Sequence, residues 1–177
     1  MNISNFANIQ DYIPIVSGAI ITDMIVIFLF NMGLLKTISL QDWYLKYGLG
    51  AVLADVLIIV IGIIIARFLY YHLFTKYSLL YFIGLAVAIQ FAHDILFYFF
   101  FSSFPTGSSR IMDTFKYYAK ENGLFVLIAD ALMIISTVLI ATLFSNLDVN
   151  TNIIILIVSL YMVPYFLYSV KDTIRIK

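Results

Sequence analysis

The chain has 177 residues, of which 63% are hydrophobic and 11% charged, against about 25% charged in a typical soluble domain. Mean hydropathy is +1.04, ten Lys and Arg balance ten Asp and Glu, and there is no cysteine. A soluble domain could not hide so much apolar surface, a disordered chain lacks it, and a nucleic-acid binder would carry a basic excess. The missing cysteine removes disulfides, thiolate metal sites and Fe–S clusters, leaving a multi-pass membrane protein.

Crossing the hydrocarbon takes about 20 predominantly apolar residues. Five stretches qualify: Pro14–Leu35, Gly48–Phe74, Leu79–Phe104, Gly123–Phe144 and Asn152–Tyr168. Met1–Ile13 holds no Lys or Arg, so it lacks the charged start of a cleaved signal peptide and span one is expected to be retained. Between spans one and two, Ser39-Leu40-Gln41-Asp42 fits a capping box and opens a short interfacial helix over 39–47. Trp43, Tyr44 and Tyr47 then read as an aromatic belt, as do Tyr70, Tyr71 and Tyr77 at the tight turn between spans two and three and Tyr117 and Tyr118 before span four. A second interfacial helix is expected over 109–121, with Ile111, Phe115 and Tyr118 or Ala119 on one face and Arg110, Asp113, Lys116 and Lys120 mainly on the other. Pro164 should bend span five near Leu160.

Lys and Arg placement sets orientation. Lys36, Lys46, Arg110, Lys116, Lys120, Lys171, Arg175 and Lys177 fall on one side, and only Arg67 and Lys76 on the other. The N-terminus is therefore expected outside the cytoplasm and the C-terminus inside. Spans two and four also align at a fixed offset, with Gly48-Leu49, Ala54-Asp55, Leu57, Ile59 and Ile65-Ala66 repeated as Gly123-Leu124, Ala129-Asp130, Leu132, Ile134 and Ile140-Ala141. The fold expected is an all-α bundle of five transmembrane helices in one membrane domain, with a pseudo-repeated 2+2 helix core.

Four acids sit inside the spans: Asp23, Asp55, Asp94 and Asp130. Each costs roughly 2.5–3.5 kcal/mol to insert at mid-helix, so each must face protein or a water-filled cavity. At about 1.5 Å rise per residue, Asp55, Asp94 and Asp130 fall in one inner layer, with His93 beside Asp94 and Gln90 one turn above it. Asp23 and Arg67 come out at similar depths below the outer face, so an Asp23–Arg67 ion pair is expected. Small residues (Gly48, Ala51, Gly62 and Ala66 on span two; Gly123, Thr137 and Ala141 on span four) share stripes with these acids, placing them at helix contacts.

The cluster of Asp55, Asp94, Asp130, His93 and Gln90 admits two main roles. The carboxyls can act as packing glue, bonded to neighbouring donors. They can instead hold protons or cations, since clustered carboxyls cannot all ionise in low dielectric. A metal held by His93, Asp94, Asp55 and Asp130 lacks HxxxH or ExxH spacing, so no metal and no cofactor is assigned. No GxSxG, HExxH, P-loop or GxGxxG occurs, and no catalytic residue is assigned.

Four stretches carry a resemblance: Gln41-Asp42-Trp43-Tyr44 leading to Ala54-Asp55-Val56-Leu57-Ile58-Ile59; Phe91-Ala92-His93-Asp94-Ile95-Leu96-Phe97-Tyr98; 113–123 followed by Ala129-Asp130-Ala131-Leu132; and Val163-Pro164-Tyr165-Phe166-Leu167-Tyr168. From about residue 40 the chain resembles an uncharacterised multi-pass membrane protein family of nucleocytoplasmic large DNA viruses. The resemblance implies a virion or host endomembrane and other membrane or capsid proteins as partners, and transfers no catalytic residue. The function expected is non-enzymatic: organising or anchoring a membrane, with the lipid bilayer as partner. The alternative is a proton- or cation-coupled channel or transporter using Asp55, Asp94 and Asp130. With so few helices, that reading expects a homo-oligomer. A membrane-embedded enzyme using His93 is the third option.

Overall fold

The computed structural model describes residues 2–35 and 37–169. Among them the chain forms a short 3-10 turn over Ile9–Asp11 and seven α-helices: α1 (Tyr12–Asn31), α2 (Ile38–Tyr47), α3 (Leu49–Leu73), α4 (Leu79–Ser102), α5 (Arg110–Asn122), α6 (Phe125–Phe144) and α7 (Val149–Leu167). Five of these, counting the 3-10 turn with α1, are long and apolar enough to cross a membrane. Leu57 on α3, Leu96 on α4, Leu132 on α6 and Ile157 on α7 all point outward, an apolar jacket far larger than a water-soluble monomer tolerates.

Helix boundaries follow local chemistry more than hydropathy. The chain enters α1 earlier than its apolar run begins, because the Asn8 side chain caps the preceding turn by accepting the Gln10 N–H at 3.3 Å. It leaves α1 earlier too. Gly33 adopts φ +73°, its N–H donates to the Phe30 carbonyl, and the Leu34 N–H reaches back to the Leu29 carbonyl at 3.0 Å. That is the left-handed glycine stop, so the apolar Leu34-Leu35 lies beyond the helix. Tyr70 organises the α3–α4 turn: its hydroxyl accepts the Ser78 N–H at 2.9 Å and donates to the Lys76 carbonyl at 3.1 Å. At the α6–α7 turn, the Asn152 amide donates to the Phe144 carbonyl at 3.0 Å. Asp148 caps α7 by accepting the Thr151 N–H at 3.0 Å. α7 is continuous past Leu160, with Pro164 in its last turn.

α1 is the hub, packed against α3, α6 and α7, while α4 packs against α3 and α6. α1 and α6 approach closely at Gly18. A Cβ built on Gly18 would stand 3.0 Å from the Thr137 carbonyl oxygen, so glycine lets two backbones touch. The contact is tied by Thr137 Oγ1 donating to Thr22 Oγ1 at 3.1 Å.

The two short helices, α2 and α5, pack against each other across one end of the bundle, here the capped end. The α3–α4 and α6–α7 turns mark the opposite, hairpin end. Each short helix passes into a long one through a glycine of nearly identical backbone, Gly48 (φ +53°, ψ −127°) and Gly123 (φ +54°, ψ −130°). Their N–H groups bond the carbonyls of Tyr44 and Ala119. Only glycine occupies this region without strain. Lys46, Arg110, Lys116 and Lys120 all lie on α2 and α5. Lys36, Lys171, Arg175 and Lys177, used above for orientation, lie outside the described residues.

Candidate functional site

The N-terminus of α2 is not closed by the capping box expected of Ser39 and Asp42. Thr37 is the N-cap and accepts the Leu40 N–H at 3.2 Å. Asp42 turns outward to Lys46 at 2.5 Å. The remaining free N–H groups are taken by Glu121, at the end of α5: Oε1 accepts from Ile38 at 3.0 Å and Oε2 from Ser39 at 2.7 Å. The Asn122 amide adds a bond to Ser39 Oγ at 2.7 Å. A carboxylate on a helix N-terminus gains from charge-assisted bonds and the helix dipole. The Ser39 side chain, then the backbone N–H groups of Ser39 and Ile38, hold the Glu121 carboxyl below its ordinary value of 4.5.

Because its folded-state value is depressed, Glu121 stabilises the clamp above the unfolded value and loses that contribution as pH falls through the folded one. Glu121→Ala is expected to lower stability by about 1 kcal/mol. It should also speed amide exchange at Ile38 and Ser39 at neutral pH. Below pH 4 the parent protein should approach the variant; a difference that persists undiminished in acid would contradict this role.

With α2 fixed in this way, its aromatics point down into the bundle. Trp43 and Tyr44 are 6% and 4% exposed, so neither is the interfacial belt residue expected from its position. Trp43 Nε1 donates to Asp55 Oδ2 on α3 at 2.9 Å. The Tyr44 hydroxyl donates to Asp23 Oδ1 on α1 at 2.9 Å. Trp43 also packs on Phe115 of α5, with ring centroids 5.1 Å apart, and Phe115 packs on Phe97 of α4 at 4.9 Å. Tyr70, also expected in a belt, is likewise buried and serves the hairpin turn instead.

On α4, the Gln90 amide donates to Asp94 Oδ1 at 2.7 Å, and His93 Nδ1 lies 3.1 Å from the same oxygen. Asp130 on α6 lies within electrostatic reach of Asp94 and His93, and Asp55 within reach of Asp23 and Asp130. The cluster expected from the sequence therefore gains a fourth acid, Asp23. Tyr118 of α5 faces it as well: burial, then the charges of Asp130 and Asp55, push its phenol above the usual range. Burial and the charges of Asp23 and Asp55 do the same to Tyr44. Among the described residues, no three His, Asp or Glu side chains converge as a metal site.

The expected Asp23–Arg67 pair is not formed. Asp23 stands eight residues from the end of α1 at Asn31, about 12 Å from the capped end, whereas Arg67 stands six residues from Leu73, about 9 Å from the hairpin end. The partner of Arg67 is Asp11, at 3.2 Å. Its guanidinium also donates to the carbonyls of Asn5 and Asn8 and lies 4.7 Å from the Tyr12 ring. The physical reason is the early start of α1, which shifts every depth along it toward the capped end.

Comparison with protein-family models, with curated proteins and with solved structures finds no match.

Proposed function

We propose that this protein is a non-enzymatic, multi-pass integral membrane protein that organises or anchors a membrane, its capped end facing the cytoplasm. The observation that carries this reading is the use made of the acids. Asp23 and Asp55 each receive a hydrogen bond from α2, so carboxyls that are costly in a bilayer serve to fasten a cap onto the bundle. The bilayer reading is supported by five apolar helices and their outward-facing Leu and Ile side chains. The orientation is supported by the lysines and arginine of α2 and α5. A duplicated unit of short helix, glycine and long helix is supported by the matching geometry of Gly48 and Gly123 and by the placement of Asp55 and Asp130 seven residues after each. A viral or host-derived membrane is proposed on the resemblance described above.

One observation favours a second reading, a proton- or cation-coupled carrier. Asp23, Asp55, Asp130 and Asp94 form an unbroken electrostatic series across four helices, and Asp23 Oδ2 and Asp94 Oδ2 make no hydrogen bond. Reconstitution into liposomes with an internal pH-sensitive dye separates the two. The scaffold reading expects proton entry indistinguishable from that of empty liposomes, with or without a potassium diffusion potential. Flux that disappears in Asp55→Asn would replace it with the carrier.

A further inference from the structure

The junction of α4 and α5 holds a groove unrelated to the acids. It has a volume of about 280 Å³ and is lined by Tyr98, Phe101 and Ser102 from the last turns of α4 and by Lys116, Ala119 and Lys120 from α5. Its origin is local. Lys116 and Lys120 are four residues apart and share one helix face, while Ser102 and Ala119 are too small to close the space between the helices. Phe101 forms a firm floor, 6% exposed and packed on Phe97 and Phe115.

The lining of this groove carries two positive charges. No acid lines it, and neither lysine is in a salt bridge among the described residues. Of the nearby acids, Asp113 accepts the Gly107 N–H at 2.9 Å through Oδ2, and Glu121 holds the start of α2. Lys116 gives one N–H to the Phe104 carbonyl, which steadies its ammonium and leaves two donors free. Below the lysines, Phe91, Ile95, Tyr98 and Ser102 recur at helical spacing along one face of α4. The three large side chains among them are 38%, 51% and 51% exposed. Two ammonium groups therefore stand at the head of an apolar track that runs along a spanning helix.

We propose that this groove is a binding site for one anionic phospholipid. Lys116 and Lys120 take the headgroup phosphate, the Tyr98 and Ser102 hydroxyls lie at the level of the glycerol, and an acyl chain follows Ile95 and Phe91. The site rests on the membrane reading above, since the track faces lipid only in a bilayer.

The test uses the full chain in phosphatidylcholine nanodiscs with and without phosphatidylglycerol, reading retained lipid by native mass spectrometry. Flotation with liposomes is measured in parallel. The parent is expected to retain phosphatidylglycerol over phosphatidylcholine. Lys116→Gln/Lys120→Gln should weaken retention by about tenfold, the worth of one charge-assisted hydrogen bond. Ala119→Trp, which fills the groove but keeps both charges, should do the same, and Lys120→Gln alone serves if the double variant fails to fold. Lys76→Gln, at the hairpin end, should match the parent. Parental retention by the groove variants overturns the site, as does equal loss in Lys76→Gln or equal competition by soluble glycerol phosphate. A parent protein that does not float overturns the membrane reading and the site with it. One that floats but shows no preference overturns the site alone.

Discussion

Asp11→Leu is expected to destabilise the protein by about 3–5 kcal/mol, the cost of removing one partner from a buried ion pair. Arg67 is fully buried at 0% exposure, and Asp11 is the only acid that it contacts among the described residues. Without Asp11, the guanidinium keeps two backbone carbonyls and the face of Tyr12 but no countercharge. Its Nε and Nη1 already lack partners, so no spare acceptor takes up the loss. Asp11 occupies the N-cap position of α1 but makes no side-chain capping bond, so the effect is electrostatic and not a capping effect. The double variant Asp11→Leu/Arg67→Met should recover most of the stability, because two apolar side chains replace the pair without leaving a charge behind. Unfolding in mild detergent measures both. A single variant within about 0.5 kcal/mol of the parent, the range of a neutral surface change, would show that the pair does not pin the N-terminal segment.

The second large effect is at the capped end. Tyr44→Phe removes the one hydrogen bond that Asp23 accepts among the described residues, at a side chain with 0% exposure. Leaving a buried acceptor unsatisfied costs about 1–3 kcal/mol, and more for a charged one. Trp43→Phe removes the equivalent bond to Asp55, but Asp55 is only partly buried. Water can replace the indole there, so the loss should be the smaller of the two. Adding Asp23→Leu to Tyr44→Phe should restore stability by removing the orphaned carboxyl, the non-additivity expected of directly bonded partners. Equal losses from Tyr44→Phe in the presence and absence of Asp23 would sever the proposed link.

The five long helices were legible because each is an apolar run near the length that a bilayer demands. Their ends were less so. Hydropathy started span one at Pro14, but Asn8 caps a turn that carries Asp11 and Tyr12 into the helix. That shift hid the Arg67–Asp11 pair and moved Asp23 into the inner cluster. The signal was present in the sequence, since Asn8 and the following Asp11 make a plausible polar helix start. The Glu121 clamp had no such signal. It joins residues 82 positions apart, and a capping side chain from another helix leaves no local pattern. The same holds for Gly18. It contacts the α6 backbone directly, but a lone glycine in an apolar run does not reveal its partner. Position along the helix places Asp55, Asp94 and Asp130 at similar depths below the capped end, because the bounds of α3, α4 and α6 lie close to those of the apolar runs. The roles of Trp43 and Tyr44 were missed for a physical reason: aromatics near a span end serve equally as lipid anchors or as donors turned inward. Only the packing of α2 on α5 decides between them.

The central claim is that acids fasten α2 to the helices below it. Hydrogen exchange followed by mass spectrometry in nanodiscs, comparing the parent with Trp43→Phe/Tyr44→Phe, tests it most directly. The account predicts that amides of α2 exchange at least about tenfold faster in the variant, since about 1.4 kcal/mol of lost local stability is tenfold in the opening equilibrium, while the first turns of α7, which start at the hairpin end, are unchanged. Unchanged exchange across α2 would contradict the claim and leave the bonds to Asp23 and Asp55 without a fastening role.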